Sequence, residues 1–286
     1  MLNPPDQKIN KRPDRVLRER IHDDLLKLVD DTLSHPTIGP KIKNLLSIFH
    51  VGVDELKQEV LSYTLNKGER GYENDRYRKK VARLTLHFHN LVEGTYHQER
   101  HRLVASFLEQ AMPKHFLDIG YGVPGAYLFS YLRKNLEATV GLLDQDPTAE
   151  EFARIVIENE APELLSRVRF QIYDMNSELY PGDADAYLYL DSIEHTKRPT
   201  EYLHKIVVES RSGNHFIFSL PICNMKGLEG FHFAEWLADG DARKWVEDAG
   251  LRVVVDGVAY PNPVVDYFAE LNDGGYHNYL VLSRKD

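Results

Sequence analysis

Four acids stand at the ends of four successive apolar segments in this chain. Asp118 lies in HFLDI, Asp144 closes ATVGLLD, Asp174 closes VRFQIYD and Asp191 closes DAYLYLD. The first segment runs into a glycine-rich turn, Asp118-Ile-Gly120-Tyr-Gly122-Val-Pro-Gly125, with a helix-forming stretch behind it. Glycines let the backbone of such a turn approach a ligand, and a helix N-terminus offers free N–H groups, so the chemistry indicated is binding of a nucleotide-type cofactor. A Gly-rich turn alone also occurs as a plain turn, and the acids downstream carry the distinction. Asp144 follows Asp118 by 26 residues, where a carboxylate accepts hydrogen bonds from a ribose diol. Asp174-Met175 offers a carboxylate and an apolar neighbour suited to an adenine edge and face. The fourth segment continues into Asp191-Ser-Ile-Glu194-His195, two carboxylates and an imidazole within five residues.

These residues need a scaffold that gathers strand ends, and the rhythm of the chain supplies one. From residue 115 apolar strand-like segments alternate with helix-like ones. The strands are read at 115–119, 138–144, 168–174, 185–191, 214–220, 251–260 and 278–283. The helices are GAYLFSYLRKN, TAEEFARIVIENE, RPTEYLHKIVVES and DGDARKWVEDAG. Continuously apolar strands fit a parallel sheet covered on both faces, and the alternation predicts an α/β, doubly wound, mostly parallel seven-stranded sheet. No helix separates the last two strands, and Asp273-Gly-Gly275 gives a turn, so the sheet should close on an antiparallel hairpin. In such sheets ligands bind outside the carboxyl ends of the strands, where the four acids stand.

Residues 14–112 have helical periodicity and almost no strand signal. Val16, Ile21, Leu25, Leu28 and Leu33 mark a first helix, a break runs from Ser34-His-Pro36 through Gly39-Pro40, and KIKNLLSIFHV follows. Val53-Asp54-Glu55 opens another helix to about Leu65, with Asp54 as its cap, and Gly68 to Gly71 form a loop. One or two long helices then occupy 74–111. The expected division is an all-helical N-terminal or lid domain over 1–112 and a cofactor-binding core over 113–286.

The composition, 42% apolar and 28% charged over 286 residues, is ordinary for a water-soluble globular protein. No apolar run is long enough to span a bilayer, and the polar, Pro-rich start lacks the apolar centre of a secretory signal. One cysteine, Cys223, excludes an internal disulfide and a Cys-rich zinc site. The expectation is a cytoplasmic protein without a membrane partner. The net charge of −9 disfavours a nucleic-acid partner. The most basic stretch, Arg76-Tyr-Arg78-Lys79-Lys80 with Arg83, sits among acids and reads as a solvated helix face.

With the strand-end acids in view, residues 96–286 resemble the class I S-adenosylmethionine-dependent methyltransferases through FLDIGYGVPG, VGLLDQDP, YDMN and YLDSIEHTKRP, in that order. The resemblance implies a Rossmann-like methyltransferase core with S-adenosyl-L-methionine as cofactor. Gly120 and Gly122 would lie under its methionine part, Asp144 would take the ribose hydroxyls, and Asp174 with the Met175 backbone would take adenine. The family's usual third glycine falls at Pro124, with Gly125 beside it. Nicotinamide binding is the runner-up: Gly120, Gly122 and Gly125 satisfy G-x-G-x-x-G. Asp118 before the turn and the YDMN and IEHT stretches have no role there.

A second resemblance is narrower. Asp191-x-x-Glu194-His195 with His232-Phe-Ala-Glu235-Trp236 is similar to the metal-binding E-x-x-E-H pattern of small-RNA 2′-O-methyltransferases and ubiquinone-pathway O-methyltransferases. It implies Asp191, Glu194, His195 and His232 as ligands of a divalent cation (Mg, Mn or Fe), with Asp191 one methylene shorter than the family's first Glu. The metal-free reading keeps His195 as a base or orienting group facing the substrate, with Asp191 and Glu194 beside it as catalytic candidates. Tyr96, His97, Arg100 and His101 sit on the helix before the core, where Arg100 is a natural partner for the cofactor's carboxylate. His87 and His89, two apart on a helix, do not share a face. Tyr121, Tyr127 and Tyr131 read as packing for the first crossover helix.

The expected activity is methyl transfer to an O or N atom of a small-molecule acceptor in a biosynthetic pathway, with a homodimer allowed. The alternatives are a metal-assisted RNA 2′-O-methyltransferase, a protein methyltransferase and a non-catalytic cofactor-binding regulatory protein.

Overall fold

The structure, a computed structural model, describes residues 15–65, 76–92, 95–177, 179–222, 233–260 and 277–286. Its sheet has seven strands: β1 (His115–Ile119), β2 (Thr139–Asp144), β3 (Val168–Ile172), β4 (Ala186–Leu190), β5 (His215–Ile222), β6 (Leu251–Ala259) and β7 (His277–Lys285). Their order is β3-β2-β1-β4-β5-β7-β6. The first five pair in parallel, while β7 is antiparallel to both β5 and β6. The sheet is therefore mixed, and the expected closing hairpin is what makes it so. The order reverses between β1 and β4, which opens a crevice at the carboxyl ends of those strands. Gly120, Asp191 and the ends of β2 and β3 all border it.

Nine α-helices are described. Five precede the sheet: α1 (Arg15–Ser34), α2 (Ile38–Phe49), α3 (Val53–Leu65), α4 (Arg76–Leu91) and α5 (Tyr96–Ala111). The other four connect or cover strands: α6 (Ala126–Lys134), α7 (Pro147–Glu160), α8 (Pro199–Glu209) and α9 (Asp239–Asp248). The periodicity locates all of the N-terminal helices that are described, with two local differences. Gly39-Pro40, read as part of a break, lies in the first turn of α2. Proline is tolerated there because the first turn's N–H groups have no intrahelical acceptor. Glycine is needed at 39 because a Cβ would stand 2.3 Å from the Leu33 carbonyl. Asp54 falls inside the first turn of α3 rather than capping it. The Gly68–Gly71 loop lies outside the described residues.

The N-terminal helices share one apolar core with a face of the sheet. Leu25, Ile42, Leu45, Leu56, Leu84 and Phe88 belong to the same buried cluster as Phe152, Val156, Val140 and Leu188. Phe49 of α2 stacks on Phe152 of α7 at 5.0 Å between ring centroids. The line drawn at 112/113 is thus a change of secondary structure, not a gap in packing. Of the basic residues of α4, expected to face solvent, Lys79, Lys80 and Arg83 join this interface. Lys79 pairs with Asp146 at 3.1 Å, Lys80 with Glu151 at 2.6 Å and Arg83 with Asp146 at 3.2 Å. An isolated-helix reading could not anticipate that the acids answering them sit at the N-cap and in the second turn of α7, over sixty residues away.

One buried pair fastens the far end of α7. His87 Nε2 lies 2.7 Å from Glu160 Oε1, with both side chains nearly inaccessible, and Lys41 Nζ is 3.7 Å from Glu160 Oε2. Burial pushes the Glu160 carboxyl up, but the His87 hydrogen bond and the His87 and Lys41 charges together outweigh it and hold the group below its ordinary value. A depressed carboxyl contributes stability above its unfolded pKa of about 4.3 that is lost as pH falls through the folded value. Glu160→Gln should lower stability by about 1 kcal/mol at neutral pH, the difference between a charged and a neutral hydrogen bond. It should also flatten the acid limb of the Tm-against-pH curve; an unchanged acid limb would remove the pair from the stability account.

Candidate active site

The glycine turn is built by close approach on one side and open space on the other. Gly120 has φ +72°, and a Cβ there would meet Ser192 Cβ at 2.6 Å and the Met175 methyl at 3.4 Å. Its N–H donates to the Leu143 carbonyl at 2.7 Å, so the turn is bound to the end of β2. Gly122 has φ +59°, and a Cβ there would meet only Arg83 Nη1, at 3.9 Å. Gly125 caps α6, and a Cβ on it would collide with the Tyr127 ring at 2.2 Å and His101 Nε2 at 2.8 Å. All three glycines are thus required, with only Gly122 facing room that a ligand could fill.

Asp144 stands across from that room. Its Oδ2 accepts from the Gly122 N–H at 3.1 Å and its Oδ1 from the Asp146 N–H at 2.9 Å. A carboxylate has about four lone-pair sites, so roughly two remain for hydroxyl donors. Burial pushes its pKa up, opposed chiefly by the Arg83 charge. Asp118 is completely buried at the end of β1. Tyr127 Oη donates to its Oδ2, while Oδ1 has no hydrogen-bond partner among the described residues. Burial raises this carboxyl to about 7. At the end of β3, Asp174 is exposed and its Oδ1 accepts from the backbone and side chain of Asn176, at 2.8 and 3.0 Å. The fold therefore brings Asp118, Gly120, Gly122, Gly125, Asp144, Asp174 and Met175 to one edge of the sheet.

Asp191 is a different kind of residue from the one its motif suggested. It adopts φ +50°, a left-handed conformation that costs a non-glycine residue about 1–2 kcal/mol. Three donors hold it there. Oδ1 accepts from Ser219 Oγ at 2.6 Å and from Asn278 Nδ2, and Oδ2 is ion-paired with Arg100 of α5. Both oxygens are thus committed to the protein. Glu194 has a side chain only 1% exposed, with His195 Nε2 4.0 Å from its Oε1; His195 itself is 37% exposed. Glu194 is thus enclosed, and Asp191 is paired with Arg100. Among the described residues no group of three His, Cys, Asp or Glu side chains is placed to hold a metal ion. His232 and Cys223 lie outside the described residues. Trp236 is buried against Trp245, at 5.1 Å between ring centroids, and acts as core.

The helix before the core does reach the crevice. Arg100 spans from α5 to Asp191, and its Nη2 lies 3.2 Å from His97 Nδ1. His101 is buried against Tyr127, and burial holds its imidazole well below the ordinary range, so it is neutral at physiological pH. Tyr96 opens α5, but its side chain falls outside the described set. His87 and His89 diverge as expected, the first to Glu160 and the second toward His97. A groove of about 730 Å³ between α5 and α6 is lined by His101, Tyr127, Ser130 and Tyr260. None of Asp144, Met175 or His195 lines it, so it is distinct from the space at Gly122.

Sequence reasoning missed four contributors: Arg83, Ser219, Asn278 and the hydroxyl of Tyr127. Lys80, Arg83 and His87 form a polar row at helical spacing, which is a visible signal of a buried interface on α4. Ser219 and Asn278 lie in continuous strand sequence and carry no such signal.

No protein-family model matches this chain, and no curated protein matches it by sequence. Solved structures do match by fold. An O-methyltransferase family protein from Burkholderia thailandensis superposes with a TM-score of 0.54 at 17% identity, covering 81% of this chain and 71% of that one. The N-methyltransferase NodS from Bradyrhizobium japonicum WM9, in complex with S-adenosyl-L-homocysteine, gives 0.51 at 14% identity, covering 81% and 97%. The 4+2 cyclase SpnF gives 0.52 at 15% identity, covering 79% and 93%. The chain has the fold of the class I S-adenosylmethionine-dependent methyltransferases, and a cyclase among these structures means that the reaction must be argued from the site. No described helix is long and apolar enough to cross a membrane.

Proposed function

We propose that this protein is an S-adenosylmethionine-dependent methyltransferase acting on an O or N atom of a small-molecule acceptor in a biosynthetic pathway. The observation that carries the reading is the cradle between Gly122 and Asp144. A left-handed glycine leaves room where a side chain would stand, and a carboxylate with free lone pairs faces it from the next strand. The Oδ1 of Asp118 at the foot of the turn fits the same ligand, because it is a buried acceptor with no donor among the described residues and is open to the cofactor's ammonium. The pattern suits adenosine with a methionine tail.

In this reading Asp144 takes the ribose hydroxyls, while Asp174 and Met175 take the adenine edge and face. The Met175 methyl already leans toward Gly120. Arg100 holds the cofactor's carboxylate, and Asp191, anchored by Ser219 and Asn278, keeps the guanidinium at the crevice when no carboxylate is there. The bound cofactor supplies an electrophilic methyl on a sulfonium. The chain has to align the acceptor in line with that methyl and exclude water. His195, partly exposed beside the end of β4, orients the acceptor and accepts its proton.

Asp118 gives the test a signature. Its carboxyl titrates near about 7 in the free protein, above its unfolded value, so the group lowers stability progressively as pH rises from about 4 to about 7. A cation brought to the turn favours the ionised form, so cofactor binding below pH 7 releases a proton. Calorimetric titration with S-adenosyl-L-homocysteine at pH 6, in buffers of different ionisation enthalpy, should show micromolar affinity and net proton release that fades by pH 8. Absence of binding in every buffer would sink the reading. Binding without label transfer from methyl-labelled cofactor to any acceptor in a broad panel would favour a non-catalytic protein.

A further inference from the structure

A buried arginine outside the core domain is the least explained charge near the cradle. Arg83 projects from α4, 39 residues before the turn it touches, and is only 9% exposed. Arginine is almost never buried to this degree unless its donors are paired. Here they are: Nη1 donates to the Gly122 carbonyl at 2.5 Å, Nη2 pairs with Asp146 Oδ2 at 3.2 Å, and Nε faces Thr148 Oγ1 at 3.4 Å.

Those contacts close a ring. Arg83 holds Gly122 by its carbonyl, and Gly122 donates its own N–H to Asp144 Oδ2 at 3.1 Å. Asp144 Oδ1 accepts the Asp146 N–H at 2.9 Å, and Asp146 returns its Oδ2 to Arg83. Four residues from three separate parts of the fold are joined in one circuit: α4, the glycine turn, and the β2 end with the cap of α7. Asp146 is also fixed by Lys79 at 3.1 Å and by the Thr148 N–H at 3.0 Å, so the ring has a rigid corner. Gly122, with φ +59° and no side-chain neighbour but Arg83, is its one soft member.

We propose that Arg83 is a positioning residue: it fixes Gly122 and Asp146, and through them aims the Asp144 carboxylate at the ribose hydroxyls. The N-terminal helices thereby complete the cofactor site. This rests on the cofactor reading given above. A carboxylate held on both oxygens by backbone N–H groups has its plane set by those groups, and both groups are located by the guanidinium. Loss of the ring leaves Asp144 in place but lets its plane rotate.

A merely structural arginine would affect all ligands alike, so the test compares two. S-Adenosyl-L-homocysteine and its 2′,3′-dideoxy counterpart are titrated into the unaltered full chain, Arg83→Gln, Asp146→Asn and Asp144→Ala. Expected is a strong preference of the unaltered chain for the ribose-bearing ligand, cut by about tenfold in Arg83→Gln and Asp146→Asn with dideoxy affinity little changed. Asp146→Asn keeps a capping acceptor for α7 and removes the ionic corner, so it answers the question if Arg83→Gln does not fold. Equal losses for both ligands, or an intact preference in both variants beside a lost preference in Asp144→Ala, overturn the positioning role alone. If the unaltered chain binds neither ligand, or Asp144→Ala keeps the preference, the cofactor reading itself falls and the proposal with it.

Discussion

Asp144→Ala is expected to weaken S-adenosyl-L-homocysteine binding by a hundredfold or more while leaving the thermal midpoint nearly unchanged. The affinity term comes from two hydrogen bonds to an ionised acceptor, each contributing about 1.5–3 kcal/mol, so the sum exceeds the 2.7 kcal/mol that corresponds to about a hundredfold. The stability term is small because it is a balance. Burial raises the Asp144 pKa, so the folded state carries a cost for holding the charge. Truncation removes that cost together with the bonds to Gly122 and Asp146. A loss of affinity accompanied by a large fall in Tm would mean that Asp144 is chiefly a brace for the turn. Unchanged affinity would remove the ribose assignment altogether.

The order of elements from β1 onward was legible because strand and helix periods alternate cleanly there, and each predicted strand lies within a few residues of the observed one. The antiparallel closure followed from the missing helix before β7. The glycines and acids at the strand ends were legible for the same reason: a motif residue at a strand terminus is placed by the strand itself. What the sequence concealed is contact between elements remote in the chain. Arg83 was read by its neighbours in sequence and so assigned to solvent, whereas its partners Gly122, Asp146 and Thr148 come from the core.

Asp191 shows the complementary error. A motif identifies side-chain types but not the backbone angle that aims them. At φ +50° the carboxylate turns toward Ser219, Asn278 and Arg100, two of which lie in strands with no polar pattern to announce them. The metal expectation finds no support among the described residues: one carboxylate is held by three donors and the next, Glu194, is enclosed. Arg100 does reach the crevice from the preceding helix, although through an ion pair that sequence spacing could not predict.

The two positive-φ glycines of the turn should separate fold from function. Gly120→Ala is expected to destabilise by about 3 kcal/mol, combining left-handed strain of about 1–2 kcal/mol with overpacking of similar size. The clash is with Ser192 Cβ at 2.6 Å, an atom fixed to the backbone, so the end of β4 must move. For a chain of this size the midpoint should fall by roughly 5–10 °C. Gly122→Ala carries the strain without the clash, since Arg83 Nη1 at 3.9 Å is its nearest neighbour. Its stability cost should stay near about 1–2 kcal/mol. Its methyl, however, would stand in the space assigned to the cofactor, and affinity for S-adenosyl-L-homocysteine should drop at least tenfold, about 1.4 kcal/mol. The contrast is the point of the pair: one glycine is kept because the protein fills the space beside it, the other because a ligand does. Thermal denaturation and calorimetry on both variants read the two quantities separately. A Gly122→Ala protein that binds as tightly as the unaltered chain would place the ligand elsewhere and leave that glycine as a feature of the turn alone.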